Sequence, residues 1–392
     1  MSGTIIRVVI GPQHPALKEP ERFILELEGE QIVRAIPRIG YVHRGIEKAM
    51  EDRNYIQNLY LVERVCGICS HAHTTCYVQN IEDLLGIEIP PRARYIRTIF
   101  AELERIHSHL LWLGLVAHEV GFDTFFMYTW RDRELVMDIL EELSGNRVHY
   151  AINTIGGVRR DIDQDKSSKI LKRLKIIEER VKKYIPMLER ERTLLKRTVG
   201  IGYLSKTDAI KYSTVGPLAR ASGLKRDVRK DDPYEAYDEV SFNIITSNDG
   251  DCFSRIMVRA YEILESVNII RESLSKLPDG DIRVKVRLVV PPSEALSRVE
   301  APRGELIHYA RSNGSDKLER YKIRTPTLAN LTAFSKILTG AYLADVPVIL
   351  AGIDPCFSCM DRMQIIDLEK NEKNVWTIGD LKRYAREWYQ KR

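Results

Sequence analysis

The chain has 392 residues, of which 44% are hydrophobic and 29% charged, and its formal net charge is +5 at pH 7. This length can bury a substantial core, and charges of both signs are interspersed without a basic block, so we expect no nucleic-acid partner. Residues 1–10 do not resemble a signal peptide, and no apolar run reaches the roughly 20 residues of a membrane span, so we expect neither export nor insertion.

The predicted elements begin with a small β unit and continue as long helices. Segments with β-branched or alternating character, separated by Gly and Pro, predict strands at 4–10, 23–27 and 31–37. Apolar residues at helical spacing then predict helices at 47–61, 69–85, 90–121, 123–144 and 163–196. Such a succession is typical of a long-helix bundle.

The second half of the chain is predicted to be less regular. Between 198 and 249 the composition shifts toward Gly, Asp, Lys and Tyr, which indicates an irregular, mixed excursion. Helices are predicted at 252–276, 326–338 and 378–390, and strands at 282–290 and 306–323.

Since no linker rich in Gly or Ser interrupts the sequence, we expect one mainly α domain with small β parts (α+β) and short peripheral sheets. Its expected parts are an N-terminal β unit (1–40), a helical bundle (41–197), the irregular excursion (198–250), a helix and strand region (251–362) and a C-terminal tail (363–392).

Four of the six cysteines form two C-x-x-C pairs near opposite ends of the chain. The first lies in RVCGICSHAH (64–73) and the second in DPCFSCMDR (354–362). Two thiolates three positions apart can converge on one soft metal ion, so two pairs together could supply a four-sulfur site. Without an export signal, six cysteines are expected to be reduced thiols, which favours metal binding over disulfides.

Each pair alone has two ordinary interpretations, a redox disulfide and half of a structural zinc site. Structural zinc sites usually take their pairs from a short segment, because the metal replaces a small core. Here most of the chain separates the pairs, so an embedded catalytic site is favoured. Thiolates select Ni, Cu, Zn or Fe, which narrows the metal without naming it.

Side chains beside the cysteine pairs suit a metal site. Arg64 and Arg362 flank the two pairs and could offset thiolate charge or donate hydrogen bonds to sulfur. If a helix begins at Cys69, His73 lies one turn later on the same face and could donate to sulfur. The alternative for His73 is a core histidine whose hydrogen bonds are satisfied elsewhere.

The two motifs resemble the signature motifs of the large subunit of nickel–iron hydrogenases. Further segments are similar to the energy-converting, membrane-associated branch, which is related to the quinone-site subunit of respiratory complex I: GPQHP (11–15), RIHSHL (105–110), GDC (250–252), EAPRG (300–304) and RTPT (324–327). The resemblance extends from about residue 11 to residue 362.

The resemblance implies a ligand set for a nickel–iron centre. All four cysteines of the motifs would bind nickel, and Cys69 and Cys359 would also bridge to an iron that carries CO and cyanide, which leaves Cys66 and Cys356 terminal. Asp354, which opens the second motif, would lie among the residues around this cofactor.

The resemblance also implies two residues that act on hydrogen. Arg303, with Pro302 beside it, would lie over the open face of the metals, where it could polarise H2 or support a base; a surface salt bridge is the alternative. Glu19 matches a glutamate that exchanges protons with a terminal cysteine such as Cys356. A carboxylate buried beside thiolates should have a raised pKa.

Electron transfer requires partners. The two remaining cysteines, Cys76 and Cys252, cannot hold a 4Fe-4S cluster with the usual four thiolates, and we expect both to be buried as small apolar side chains. A small hydrogenase subunit with a 4Fe-4S cluster is therefore implied.

The resemblance implies reversible H2 formation from protons by the catalytic large subunit of an energy-converting hydrogenase. Reduced ferredoxin would donate the electrons, and other hydrogenase and membrane-arm subunits would couple the reaction to translocation of H+ or Na+. The chain would then lie peripherally on the cytoplasmic side of the membrane.

Three alternatives remain. A complex I-like quinone subunit and a sulfur-reducing relative generally lose some of the four cysteines, so their retention here favours a hydrogenase. A structural four-cysteine zinc protein or an assembly scaffold is the non-enzymatic alternative.

Hydrogenase large subunits often lose a segment after the second motif, and the sequence leaves open whether residues 363–392 are retained.

Overall fold

The structure, a computed structural model, describes residues 4–360, 362–363 and 378–390. Its N-terminal part is an antiparallel sheet of β1 (Ile5–Ile10), β2 (Arg22–Glu28) and β3 (Gln31–Arg38), in the order β1-β2-β3. Alternate residues of β2 (Phe23, Leu25 and Leu27) are buried against the helices. The predicted β unit is therefore present.

Two short helices, rather than one, precede the first cysteine pair. They are α1 (Ile46–Glu51) and α2 (Tyr55–Glu63), so the single helix predicted at 47–61 is wrong. The cause is a capping box, in which the Asn54 side chain accepts from the backbone N–H of Gln57 and the Gln57 side chain accepts in return from Asn54. The next helix, α3 (Ser70–Leu85), begins directly after Cys69, as predicted.

Four long helices build the predicted bundle around α4. They are α4 (Pro91–Glu119), α5 (Asp123–Ser144), α6 (Gln164–Arg190) and α11 (Cys252–Ser275), and α4 packs against both α5 and α11. The helix predicted at 163–196 is instead divided at Glu191, whose backbone is extended and whose side chain caps α7 (Arg192–Thr198). The mainly α fold with small antiparallel sheets is confirmed.

Residues 198–250, all of them described, contain three short helices and no strand. These are α8 (Lys206–Lys211), α9 (Gly216–Ala221) and α10 (Val228–Asp231). At the start of α9, Gly216 has φ +70°, and a Cβ there would lie 2.3 Å from the carbonyl oxygen of Arg303. Glycine is required here because the excursion crosses the backbone of Arg303.

A second antiparallel sheet consists of β6 (Ser293–Ala301), β7 (Gly304–Ser312) and β8 (Leu318–Arg324), after a two-residue ladder of β4 (Asn153–Thr154) with β5 (Gly157–Val158). The sequence analysis missed β6. Ala301 pairs with Gly304, so Pro302 and Arg303 form the two-residue turn between β6 and β7. This hairpin therefore presents Arg303 at its tip.

The strand predicted at 282–290 is wrong. These residues, all within the described part, make only one isolated bridge, between Arg283 and Gly157. Two backbone hydrogen bonds tie the segment to the β4–β5 turn: the N–H of Val158 donates to the Ile282 carbonyl, and the N–H of Val284 donates to the Gly156 carbonyl. The described residues of this segment form no further ladder of strand hydrogen bonds.

The chain then returns to helix. The predicted helices α12 (Pro326–Leu338) and α14 (Ile378–Gln390) are both present, and α13 (Val346–Ile353) leads into the second cysteine motif. Across the described ranges, no helix combines the length and apolar character needed to cross a bilayer. The four motif cysteines belong to a buried core cluster that also contains residues of α1, α2, α3 and the second sheet.

Candidate metal centre

The four motif cysteines converge on one buried point. Cys66 lies in the turn after α2, Cys69 caps α3, and Cys356 and Cys359 lie in the segment after α13. The Sγ–Sγ distances are 3.0 Å for Cys66–Cys69, 3.4 Å for Cys66–Cys356 and 2.9 Å for Cys356–Cys359. All four side chains are free thiols at most 4% exposed. Sulfur atoms from the two ends of the chain therefore share one cage.

Backbone groups stabilise negative charge on the first pair. The N–H groups of Ile68 and Cys69 donate to Cys66 Sγ at 3.4 and 3.3 Å. Because hydrogen bonds to a charged form favour that form, these bonds suit a thiolate that binds metal. The buried carboxylate of Glu104 accepts the next N–H groups, from His71 at 2.7 Å and Ala72 at 3.0 Å, and so satisfies the first turn of α3.

Arg44 joins the two motifs through their backbones. It donates to the carbonyl oxygens of Arg64, Val65 and Ser358, each at 2.8 Å. A planar guanidinium can hold several acceptors at fixed angles, so this side chain sets one pair relative to the other. The sequence analysis missed Arg44, because nothing in its spacing from either motif marks it.

Glu19 lies beside Cys356, on the side of the four sulfur atoms that faces a partly open cavity. Its Oε1 is 3.7 Å from Cys356 Sγ, and Ser358 holds it by its backbone N–H at 2.7 Å and its hydroxyl at 2.6 Å. Burial, with the nearby Cys356 sulfur, raises the pKa of Glu19 to about 7, against the opposing hydrogen bonds of Ser358. The raised pKa expected from the sequence is therefore present in this structure.

Arg303 is a buried cation that lines the same cavity as Glu19 and Cys356. Its guanidinium donates to Asp354 Oδ1 at 2.7 Å, to the Asp354 carbonyl at 3.2 Å and to Ser108 Oγ at 3.3 Å. The alternative of a surface salt bridge is wrong, because Arg303 is only 6% exposed. Pro302, in the same turn, is also buried. The carboxylate of Asp354 and the nearby sulfur atoms hold the pKa of Arg303 above its usual value, against the effect of burial.

The other two arginines of the motifs contact carboxylates. Arg64 is half exposed and donates to the Tyr60 carbonyl and to Glu63, both at 3.0 Å, so it stabilises the end of α2 rather than sulfur. Arg362 donates to Glu47 at 2.7 Å and thereby ties the end of the second motif to α1. The expectation that both would balance thiolate charge does not match these contacts.

His73 lies on the inner side of the cage, as the helical spacing predicts. One ring nitrogen lies within 4.8 Å of the Cys69 and Cys359 sulfur atoms, and Nδ1 lies 3.1 Å from Nε2 of His308. Burial lowers the pKa of His73 to about 4. A neutral imidazole can donate one hydrogen bond from its protonated nitrogen and accept one at the other nitrogen.

The segment RIHSHL lies on α4 and touches several parts of the site. Arg105 donates to the last two carbonyls of β6, so it holds the hairpin that carries Arg303. His107 Nε2 lies 3.1 Å from the carbonyl of Ile68 inside the first motif, and Ser108 bonds Arg303. The sequence analysis used this segment only as a point of resemblance and assigned it no role.

A cavity of about 70 Å³, partly open to solvent, adjoins Cys356. Its walls are mostly apolar, with Leu17, Trp112 and Leu350 among them. Its charged lining residues are Lys18, Glu19, Arg303 and Asp354. A small apolar molecule could therefore approach the cage beside the carboxyl group of Glu19 and the Arg303–Asp354 ion pair.

The donor set fits a soft metal. Four buried thiols converge without a disulfide, backbone N–H groups point at sulfur, and a buried guanidinium is nearby. Thiolate ligands select nickel, iron, zinc and copper, and hard cations prefer oxygen. The nickel–iron centre implied by the sequence is compatible with this set.

Comparisons with protein families divide the chain between two descriptions. Residues 119–293 and 284–362 match the family described as respiratory-chain NADH dehydrogenase, 49 kDa subunit. Residues 44–117, which include the first cysteine motif, match the family of nickel-dependent hydrogenases.

Similar proteins extend over nearly the whole chain. The membrane-bound hydrogenase subunit alpha of Pyrococcus furiosus is 42% identical over 96% of this chain and 91% of its own length. The carbon monoxide-induced hydrogenase of Rhodospirillum rubrum is 41% identical over 91% of this chain and 99% of its own length. The structure of the membrane-bound sulfane sulfur reductase, an archaeal respiratory membrane complex, matches with a TM-score of 0.87 and 34% identity, over 91% of this chain and 98% of that chain.

The resemblance stated from the two cysteine motifs is thereby confirmed. The matches to these relatives and to the solved structure each cover at least 91% of this chain. The chain belongs to the family of nickel–iron hydrogenase large subunits of the membrane-bound type and the related 49 kDa subunits of respiratory complex I.

Proposed function

We propose that this chain is the catalytic large subunit of an energy-converting nickel–iron hydrogenase. The observation that carries the proposal is the convergence of all four motif sulfur atoms in one buried cage. A quinone-binding or sulfur-reducing subunit without a dinuclear metal site has no need of four such thiolates. Hydrogenase names among the similar proteins support the same conclusion.

In this proposal Cys66, Cys69, Cys356 and Cys359 would together hold the metals. When bound, a nickel centre with an iron that carries CO and cyanide supplies redox chemistry and Lewis-acid polarisation of H2. The chain's own residues provide proton transfer, charge balance and exclusion of water.

Proton transfer is assigned to Glu19. Its Oε1 faces Cys356 Sγ at 3.7 Å, and Ser358 fixes both of its oxygens. It also lines the cavity, so a proton could pass between Cys356 Sγ and solvent through one side chain. A carboxylate held by two hydrogen bonds from one residue is positioned rather than mobile, which suits a repeated transfer.

Arg303 is assigned a role at the reacting face. Its guanidinium is fixed by Asp354 and Ser108 and lines the cavity next to Cys356. A buried positive charge here offsets the charge of the thiolates and can polarise a small molecule in the cavity. Pro302, by restricting the turn, keeps Arg303 at the tip of the hairpin.

Electrons require other subunits. Cys76 and Cys252 are completely buried in separate places, where Cys76 lies against β6 and Cys252 lies against α13. We therefore infer a small subunit with a 4Fe-4S cluster, ferredoxin as electron donor, and membrane-arm subunits that translocate H+ or Na+. The chain would attach through these partners to the cytoplasmic side of the membrane.

A second candidate is a complex I-like or sulfur-reducing subunit. It is favoured by the match of residues 119–362 to the 49 kDa family and by the similarity to the sulfane sulfur reductase. The two candidates differ in their metal, since only the hydrogenase needs nickel together with iron-bound CO and cyanide.

Elemental analysis and infrared spectroscopy of the isolated complex distinguish these functions. The hydrogenase predicts nickel, CO and cyanide bands, and H2-dependent dye reduction. Cys356→Ser should lose nickel and activity, whereas Cys76→Ser, a buried cysteine outside the cage, should retain both. Zinc as the sole metal, or full activity in Cys356→Ser, would refute the assignment.

A further inference from the structure

A buried histidine of α4, His107, adjoins the first cysteine pair and has no part in the proposed function. Its side chain is completely buried, and its Nε2 lies 3.1 Å from the carbonyl oxygen of Ile68, which stands between Cys66 and Cys69 in the sequence. The same nitrogen lies 2.8 Å from the hydroxyl oxygen of Tyr150, which is also buried. The contact with Ile68 therefore links α4 directly to the turn that carries the first two cysteines.

The surroundings of this ring determine which nitrogen carries its proton. Burial lowers the pKa of His107 to about 3, so the ring is neutral and has a single proton. A carbonyl oxygen can only accept, so the contact with Ile68 requires that proton on Nε2, where the Tyr150 oxygen can share it as a second acceptor. The other nitrogen, Nδ1, has no partner among the described residues, and an N–H there would be a buried donor without an acceptor. Both arguments place the proton on Nε2, and His107 therefore donates to the Ile68 carbonyl.

One peptide group joins this bond to the cage. The carbonyl of Ile68 and the N–H of Cys69 belong to the same planar unit, and that N–H donates to Cys66 Sγ at 3.3 Å. Hydrogen bonds in series polarise one another, so a donor at the carbonyl makes the N–H at the other end a stronger donor. His107 and the Cys66 sulfur thus lie at the two ends of a single peptide group.

The backbone around Tyr150 holds the His107 ring in place. His149 and Ala151, on either side of Tyr150, have left-handed backbones with φ of 57° and 48°. Such conformations cost non-glycine residues about 1–2 kcal/mol each and persist where neighbouring contacts fix them. Here the N–H of Ala151 donates to Glu63 Oε1 at 2.6 Å. The Tyr150 hydroxyl, placed by this segment, contacts the His107 ring and leaves it little freedom to turn away from the cysteine turn.

We infer that His107 is a positioning residue that, through the Ile68 carbonyl, strengthens the backbone hydrogen bond to the Cys66 sulfur. This inference rests on the proposed function only in that Cys66 would then bind a metal. A hydrogen bond to a thiolate withdraws electron density from sulfur and so from the metal that the sulfur binds. Loss of the His107 donor should therefore make the metals more electron-rich without removing a ligand.

Two substitutions of similar size separate this hydrogen bond from the packing of the ring. His107→Gln keeps an amide N–H that can donate to the Ile68 carbonyl, and His107→Met fills similar space without a donor. Both can be compared in the metal-free full-length chain labelled with 15N-cysteine, in which Cys69→Ser identifies the Cys69 amide signal by its loss. The Cys69 amide proton should shift upfield and exchange faster in His107→Met, and should stay near its original position in His107→Gln.

The unmodified chain provides an independent measurement, which holds even if His107→Met does not fold. With 15N-labelled histidine rings, the His107 signals, identified by their loss in His107→Gln, should show the proton on Nε2. A proton on Nδ1 would overturn the inference. An unchanged Cys69 amide in His107→Met, or an equal shift in both variants, would overturn it as well.

Infrared bands of iron-bound CO and cyanide in the assembled complex test the effect on the metals. The bands should move to lower wavenumber in His107→Met, because greater electron density on iron weakens the bond within each ligand, and should return toward their original position in His107→Gln. Unchanged bands in His107→Met would contradict the inference. If the complex has no such bands, the proposed function fails, and the cysteine amide and the histidine tautomer still decide the inference.

Discussion

Arg303 and Asp354 form a buried ion pair of 2.7 Å that joins the β6–β7 hairpin to the start of the second cysteine motif. Asp354 itself has a left-handed backbone, φ 61°, at the end of α13. A second cation, Arg259, lies 3.8 Å from its other carboxylate oxygen. One carboxylate therefore balances two buried guanidinium groups at the point where the chain enters the cage.

Asp354→Asn should destabilise the chain strongly. Asparagine tolerates the left-handed backbone, so the change removes charge while keeping the turn. Breaking a buried pair typically costs about 3–5 kcal/mol, because a buried charge loses its partner. Urea unfolding of the purified chain measures the loss. Glu319→Gln is the control, because its pair with Arg311 is largely exposed and should be worth only about 0–1 kcal/mol.

Arg44→Lys should loosen the cage without unfolding the protein. A lysine nitrogen cannot reproduce the three carbonyl contacts that Arg44 makes to both motifs. We expect metal affinity to fall by about tenfold, the lower end for groups that orient metal ligands. Competition with a chelator measures this affinity.

Arg53→Lys is the matched control for Arg44, because Arg53 is exposed and donates to the Ala49 carbonyl within its own helix region. Equal metal affinity in Arg44→Lys and in the unmodified chain would contradict the proposed clamp.

The sequence predicted what local patterns can specify. Both ends of α5 and the convergent cysteine pairs were found because helical spacing and C-x-x-C spacing are short-range signals. The breaks at Asn54 and Glu191 were missed, since a cap competes with an apolar pattern that continues past it. Arg44 could not be found at all, because its acceptors lie at both ends of the chain and only tertiary structure brings them together.

Glu21 should make the stability of the chain depend on pH. It is fully buried, its Oε2 has no hydrogen-bond partner in the described residues, and burial raises its pKa to about 7. The folded state therefore holds the proton more tightly than the unfolded state, whose pKa is near 4.5. Its contribution to stability is present below pH 4.5 and is lost as pH rises to about 7, by at most roughly 3 kcal/mol.

Glu21→Gln should remove this slope, because glutamine keeps the shape of the side chain and does not titrate. Urea unfolding at pH 5, 6, 7 and 8 measures the difference between the two proteins. The variant should gain stability relative to the original as pH rises, and a constant difference over this range would exclude Glu21 as the titrating group.

Gly216→Ala should disturb the turn that carries Arg303, and Gly200→Ala shows how much of the effect is due to backbone conformation alone. The two glycines have nearly the same φ, +70° and +72°. An alanine in this left-handed conformation should therefore lower the free energy of unfolding by a similar amount, about 1–2 kcal/mol, at either position. A Cβ at 216 would lie 2.3 Å from the Arg303 carbonyl oxygen, whereas a Cβ at 200 has no atom within 4 Å.

The difference between these two variants therefore isolates the close contact with Arg303. We expect Gly216→Ala to cost about 1–3 kcal/mol more in urea unfolding, as overpacking does, and to lower H2-dependent dye reduction. Gly200→Ala should lose stability while its activity per folded molecule stays unchanged. If both variants lost the same stability and neither lost activity, the Arg303 turn would have to tolerate displacement, and its fixed position would not matter for the reaction.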